Sequence, residues 1–141
     1  MSFTILGPIS EGGTKLPFCS FRVPAGFPSP ASDHIELHIS LDEVLNIRAP
    51  HMYMIRFTGD SMQGVGIFEG DLGIVDRSIE PGHGHLVVAA LNNEPICKRF
   101  CRRGKELILL SENPKYPARY VLEGDELSIW GVITSTVRSH V

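Results

Sequence analysis

From Met52 to Val137 the chain is cut into short apolar runs: Met52–Thr58, Leu72–Asp76, Leu86–Leu91, Pro95–Phe100, Glu106–Leu110, Tyr120–Leu122 and Leu127–Val137. Runs of this length suit strands rather than helices, and the Gly, Pro and Asn residues between them mark turns. Regularly spaced short strands of this kind predict a mainly antiparallel β domain, barrel-like or of the β-clip type. In the first run, alternation puts Tyr53, Ile55 and Phe57 on one face.

A chain of 141 residues with 43% hydrophobic residues has room for one domain whose core needs no disulfide staples. Its three cysteines, Cys19, Cys97 and Cys101, are odd in number and sparse, which points to a reducing, cytoplasmic setting. The net charge of −3 and pI near 6.0 argue against a protein that wraps a phosphate backbone, so little direct DNA binding is expected. No apolar run approaches the roughly 20 residues that cross a bilayer. Glu11, Gly12, Gly13 and Thr14 interrupt the start too early for a signal peptide, so no membrane role is expected.

The first third differs from the rest. Pro8, Gly12, Gly13, Pro17, Pro24, Gly26, Pro28 and Pro30 leave no sustained periodicity, and the stretch Pro24–Pro30 excludes both a helix and a central strand. Residues 1–34 therefore read as a flexible, extended arm and 35–141 as the domain. Phe18, Phe21 and Phe27 in the arm suit packing onto the domain or onto a dimer mate better than ligand binding. One helix is expected, over Ser40–Ile47. Ser40 and Glu43 have capping-box spacing, Leu41, Val44 and Leu45 share a face, and Pro50 ends it.

Two residues resist a purely architectural explanation. Ser61 lies in Gly59-Asp60-Ser61-Met62, where a strand gives way to a turn between glycines, with backbone N–H groups free to face a substrate oxygen. That corner suits a nucleophile with an oxyanion hole, and equally a serine that caps a turn. Lys98 falls on the same strand face as Ile96 and Phe100, where the pattern asks for an apolar side chain. Desolvation there would favour a neutral amine usable as a general base, whereas a lysine snorkelling from a strand edge would remain charged. Ser and Lys together form a known alternative to the Ser-His-Asp triad. His83 and His85 beside Cys97 and Cys101 lack the paired spacing of a structural zinc site, so no metal is expected. Arg99, Arg102, Arg103 and Lys105 suit a solvated turn surface better than a contact for DNA or a partner.

Gly59-Asp60-Ser61-Met62 followed by Gly66-Ile67-Phe68-Glu69-Gly70-Asp71-Leu72 resembles the nucleophile region of the LexA/UmuD family of self-cleaving peptidases. Ile96-Cys97-Lys98-Arg99-Phe100 resembles that family's lysine strand, and Ala25-Gly26 its cleavage site. The three motifs stand in the family's order and cover nearly the whole chain. The short arm is similar to the UmuD branch, although alanine before the scissile glycine is the LexA form. The resemblance implies Ser61 as nucleophile, Lys98 as general base, an oxyanion hole from the backbone N–H groups of Asp60 and Ser61, and cutting between Ala25 and Gly26. It implies no cofactor. It further implies a cytoplasmic homodimer of the SOS response to DNA damage, triggered by a RecA filament on single-stranded DNA. The trimmed form would serve a UmuC-type Y-family polymerase in translesion synthesis.

About 15 residues separate Ala25 from Ser40. Fully extended they span roughly 50 Å, against a radius of gyration of about 14 Å for a domain this size. Either its own site or a partner's is within reach. Three competing readings are a LexA or phage-type repressor, a signal peptidase and a catalytically silent accessory subunit. The first is expected to fail because 25 residues holding Pro8, Gly12, Gly13 and Pro17 cannot form a helix-turn-helix, the second because no membrane anchor is seen.

Overall fold

A computed structural model describes residues 2–10, 12–13, 15–19, 35–48 and 50–141. They fall into two compact units, one of residues 1–9 with 50–141 and one of residues 10–49.

The larger unit is a single antiparallel sheet. In chain order its strands are β1 (Ser2–Pro8), β4 (Met52–Thr58), β5 (Leu72–Asp76), β6 (Leu86–Leu91), β7 (Glu94–Arg103), β8 (Glu106–Leu110), β9 (Arg119–Val121) and β10 (Leu127–Val137). Hydrogen-bonded neighbours run β1-β4-β5-β10-β6-β7-β8-β9. The expected fold class is the one observed. β7 extends beyond the expected Pro95–Phe100 because its ladder with β8 continues to Arg103↔Glu106. The β6–β7 hairpin closes on Asn92 and Asn93, with φ of 50° and 67°, the left-handed pair that a tight hairpin turn requires.

The sheet curls so that its central strands are covered on both faces. Val88 and Ile133 join one buried cluster with Tyr53, Ile55, Phe57, Met62 and Cys97. Their neighbours Val87 and Val132 join a second with Leu91, Phe100 and Leu109. Successive residues of a strand point to opposite faces, so β6 must be apolar throughout, and its sequence Leu-Val-Val-Ala-Ala-Leu is. β10 bridges β5 and β6 and shifts register between Ile129 and Gly131. A Cβ at Gly131 would lie 2.5 Å from Val75 Cγ1, so only glycine lets β10 pass there.

The smaller unit pairs β2 (Lys15–Cys19) with β3 (Ile35–Ser40), then forms α1 (Leu41–Val44). Ser40 caps α1 as expected, its Oγ accepting from the Glu43 N–H. The helix is a single turn rather than Ser40–Ile47. Asn46 adopts φ 54°, the Ile47 N–H bonds the Asp42 carbonyl and the Asn46 N–H that of Glu43. This is a Schellman closure with Asn in the left-handed position, and it stops the helix before Pro50 can. Leu41 and Val44, expected to make an apolar face, are exposed.

Three strands were not anticipated, Ile35–Ser40 and two that lie in the expected arm. Ser2–Pro8 is the edge strand of the large sheet and Lys15–Cys19 half of the small one, both within the stretch expected to be an arm. Pro8 and Pro17 misled the alternation test: both sit on edge strands, where a missing N–H is tolerated. Ala25, Gly26, Phe21 and Phe27, and the side chain of Phe18, lie outside the described residues. No helix among the described residues is long and apolar enough to cross a membrane.

Candidate active site

β4 delivers the chain to Thr58, and Gly59, at φ 91°, turns it. Beyond the turn a 3-10 segment, Gln63–Val65, ends on Gly66 in the left-handed region. Met62 is fully buried in the first core cluster, which fixes the turn from below. Between Asp60 and Met62, Ser61 is 0% exposed, and its Oγ has no hydrogen-bond partner among the described residues. A buried hydroxyl without a partner costs about 1–3 kcal/mol, so evolution rarely retains one without use. The N–H groups of Gln63, Gly64, Val65, Gly66 and Ile67 are all spent on carbonyls, whereas this turn's internal bonding makes no use of the Ser61 N–H.

Lys98 is held by β7 opposite Val87 and is half-buried. Desolvation pulls its ammonium pKa below the ordinary lysine value of 10.5, partly opposed by Cys97 and Glu94. Its Nζ donates to Ser111 Oγ and lies 5.7 Å from the centre of the Tyr116 ring. Lys98 also lines an open cleft of about 400 Å³ with Ser2, Glu94, Ile96 and Arg119 among its walls.

Ser61 and Lys98 are not directly hydrogen-bonded; one segment, Ser111–Tyr116, grips the surroundings of both. Ser111 takes the Lys98 ammonium. The Glu112 carbonyl accepts from the Gly64 N–H at 2.7 Å, and its carboxylate pairs with Arg99. Asn113 Nδ2 donates to the Asp60 carbonyl at 2.8 Å, while Lys115 (2.8 Å) and the Tyr116 hydroxyl donate to the Asp60 carboxylate. These bonds, from Lys115 first, hold the Asp60 carboxyl below its ordinary pKa. A Cβ at Gly64 would stand 2.6 Å from the Glu112 carbonyl oxygen, so the clamp closes only on glycine.

This clamp was missed in the sequence. Ser-Glu-Asn-Pro reads as a turn after an apolar strand, but the Asp60 it fastens lies 53 to 56 positions away from the residues that hold it. A second fastening was missed too. Asp71, 3% exposed, receives Arg138 through Nε and Nη2, both at 2.7 Å, and the Phe68 N–H at 2.9 Å.

The other residues singled out in the sequence have local duties. His83 Nδ1 accepts from the Arg102 N–H and His85 Nδ1 from that of Gly82. Cys97 is a core residue whose thiol burial pushes up to about 12. Arg99 binds Glu112 and the Gly84 carbonyl, and Arg102 lies over the Phe100 ring. Arg103 and Lys105 are exposed.

Residues 17–134 match the family model described as Peptidase S24-like. MucA of Salmonella typhimurium is 35% identical over 135 residues, covering 93% of this chain and 92% of that protein. SamA of the same species is 37% identical over 121 residues, covering 86% and 84%. The LexA repressor of Bordetella avium is 38% identical over 119 residues; these cover 84% of this chain and 55% of the repressor, about half its length.

Proposed function

The chain belongs to the Peptidase S24-like family, and on that premise we propose that it cuts itself between Ala25 and Gly26 with Ser61 as nucleophile and Lys98 as base. The observation that carries this reading is the buried Ser61 hydroxyl, unpartnered among the described residues, in a turn clamped by the segment that also binds Lys98.

In the proposed reaction, Lys98 in its neutral form takes the Ser61 proton and Oγ attacks the Ala25 carbonyl carbon. The backbone N–H groups of Ser61 and Asp60 receive the oxyanion. As the Ala25–Gly26 bond breaks, protonated Lys98 returns its proton to the leaving Gly26 amine. Water then hydrolyses the ester between Ser61 and Ala25. For this, Lys98 Nζ exchanges its bond to Ser111 for one to Ser61. A RecA filament on single-stranded DNA would raise the population of the state with the arm in the cleft. The trimmed chain, starting at Gly26, would then act as a homodimer with a UmuC-type Y-family polymerase in cytoplasmic SOS translesion synthesis. The near end-to-end match to MucA and SamA supports this over a repressor role.

The test is incubation of the purified chain with RecA, nucleotide and single-stranded DNA. A fragment beginning at Gly26 is expected from the parent chain, and none from Ser61→Ala or Lys98→Ala. A stable, uncut parent chain would favour a silent accessory subunit.

A further inference from the structure

The edge strand β1 is the largest structural feature left without a role by this reading. It pairs with β4 from Ser2↔Thr58 to Pro8↔Tyr53, and the Ile9 N–H extends the ladder to the Met52 carbonyl. Among the described residues, Phe3 is the β1 side chain packed against the first cluster, its ring edge-on to Trp130 at 5.8 Å, while the Ser2 hydroxyl bonds that of Thr58. Ile5 and Leu6 are 54% and 47% exposed. β1 also fills its seat poorly. An open cleft of about 570 Å³ runs beside it, lined by Ile5, Gly7, Pro8, Tyr53 and Trp130 among others. β1 carries no charged residue, so what β4 recognises is extended backbone plus an aromatic anchor.

The bond proposed to be cut lies between β2 and β3. Cutting there leaves β1 and β2 together on the small fragment, held to the remainder only non-covalently, by strand pairing, the Phe3 contact, the Ser2–Thr58 hydroxyl bond and the bonds of the Gly12 and Gly13 N–H groups to the Asp42 carboxylate. While the chain is intact, its tether keeps β1 at an effective concentration on the order of millimolar; after the cut that advantage is gone. The β2–β3 pairing is a two-stranded sheet without its connection, marginal in water.

We infer that the β4 edge is a strand-docking site that Ser2–Pro8 occupies as a built-in ligand, and that the cut makes this ligand exchangeable. The incoming occupant is an extended segment of a partner protein with an aromatic residue at the Phe3 position, where it would pack against the first cluster and Trp130. An open strand edge is a ready template for such pairing. On this view the cut does more than shorten an arm: it uncovers an interface. The inference rests on the cutting position proposed above, so its test makes the cut by other means.

The experiment uses the full chain bearing Ser61→Ala, with the recognition sequence of a specific protease substituted within residues 20–34. Before that protease acts, a fluorescent peptide of residues 2–10 should not bind, and the Met52–Thr58 amides should exchange slowly with deuterium. After cutting and gel filtration at about micromolar protein, the small fragment should separate and exchange in Met52–Thr58 should rise at least about tenfold. The peptide should then bind one to one, and a Phe3→Ala peptide about tenfold more weakly. If the remainder aggregates on losing the fragment, excess peptide should keep it soluble. Retention of the fragment, unchanged β4 exchange after its loss, equal binding of both peptides, or aggregation that the peptide does not prevent would overturn the inference. Failure of the chain to cut itself under RecA would instead count against the proposed function alone.

Discussion

Ser61 and Asp71 are buried to nearly the same degree, ten positions apart in neighbouring turns, and are treated in opposite ways. Asp71 is saturated: two Arg138 nitrogens and the Phe68 N–H fill its oxygens, and Arg138 also reaches the Gly66 carbonyl and stacks on Phe68. Ser61 Oγ has nothing among the described residues, although the residues around it are fastened on every side. A polar group with all its bonds made is a fastening. One kept without bonds in a rigid, dry setting is poised for a reaction that supplies the missing partner.

The largest effect should come from the unpaired side of this contrast. Ser61→Ala and Lys98→Ala should each slow cutting at Ala25–Gly26 at least about a thousandfold, followed by gel densitometry, with the fold intact by circular dichroism. Next is the clamp. Gly64→Ala drives a methyl against the Glu112 carbonyl and should push Ser111–Tyr116 off the turn, slowing cutting by about a hundredfold while Met62 keeps its place in the core. Equal rates for Gly64→Ala and parent would separate the clamp from the chemistry.

The saturated side should answer in stability. Asp71→Asn should lower Tm by roughly 5 °C at pH 7. The Arg138 bonds hold the Asp71 carboxyl below its ordinary pKa, so its contribution is present above the unfolded value of about 3.9 and is lost as pH falls through the folded one. The variant should therefore show a flatter decline of Tm in acid than the parent. Smallest is a shift in pH dependence. Unstimulated cutting should accelerate with rising pH as Lys98 loses its proton, and earlier than for a free lysine because burial lowers its pKa. Glu94 works against that lowering, so Glu94→Gln should move the rate profile to lower pH. A displacement to higher pH would contradict Lys98 as the titrating base.

The strands from Met52 onward were legible because each alternation is local, as in Tyr53, Ile55 and Phe57, or because a strand covered on both faces reads as continuously apolar, as in Leu86–Leu91. Lys98 stood out in the sequence because it interrupts the apolar side of its strand, and Ser61 because it sits at a strand-to-turn corner between glycines. β1 and β2 were not, since Pro8 and Pro17 read as breaks when only a sheet partner can show that they sit at an edge. The helix was overextended because Asn46 gives no stronger signal than the apolar residues around it, yet it alone adopts the left-handed turn. Ser111, Asn113 and Lys115 carry no pattern of their own; their meaning arises when β7 and β8 bring that segment beside Asp60 and Lys98.

The contrast between Ser61 and Asp71 comes down to whether the Ser61 hydroxyl belongs to the fold or to the reaction, and one variant answers both halves. Ser61→Ala, measured for thermal unfolding and for cutting under RecA in the same preparation, should gain about 1 kcal/mol of stability from losing an unsatisfied buried hydroxyl, and should yield no fragment beginning at Gly26. A variant less stable than the parent, or one that still cuts at Ala25–Gly26, would contradict the account.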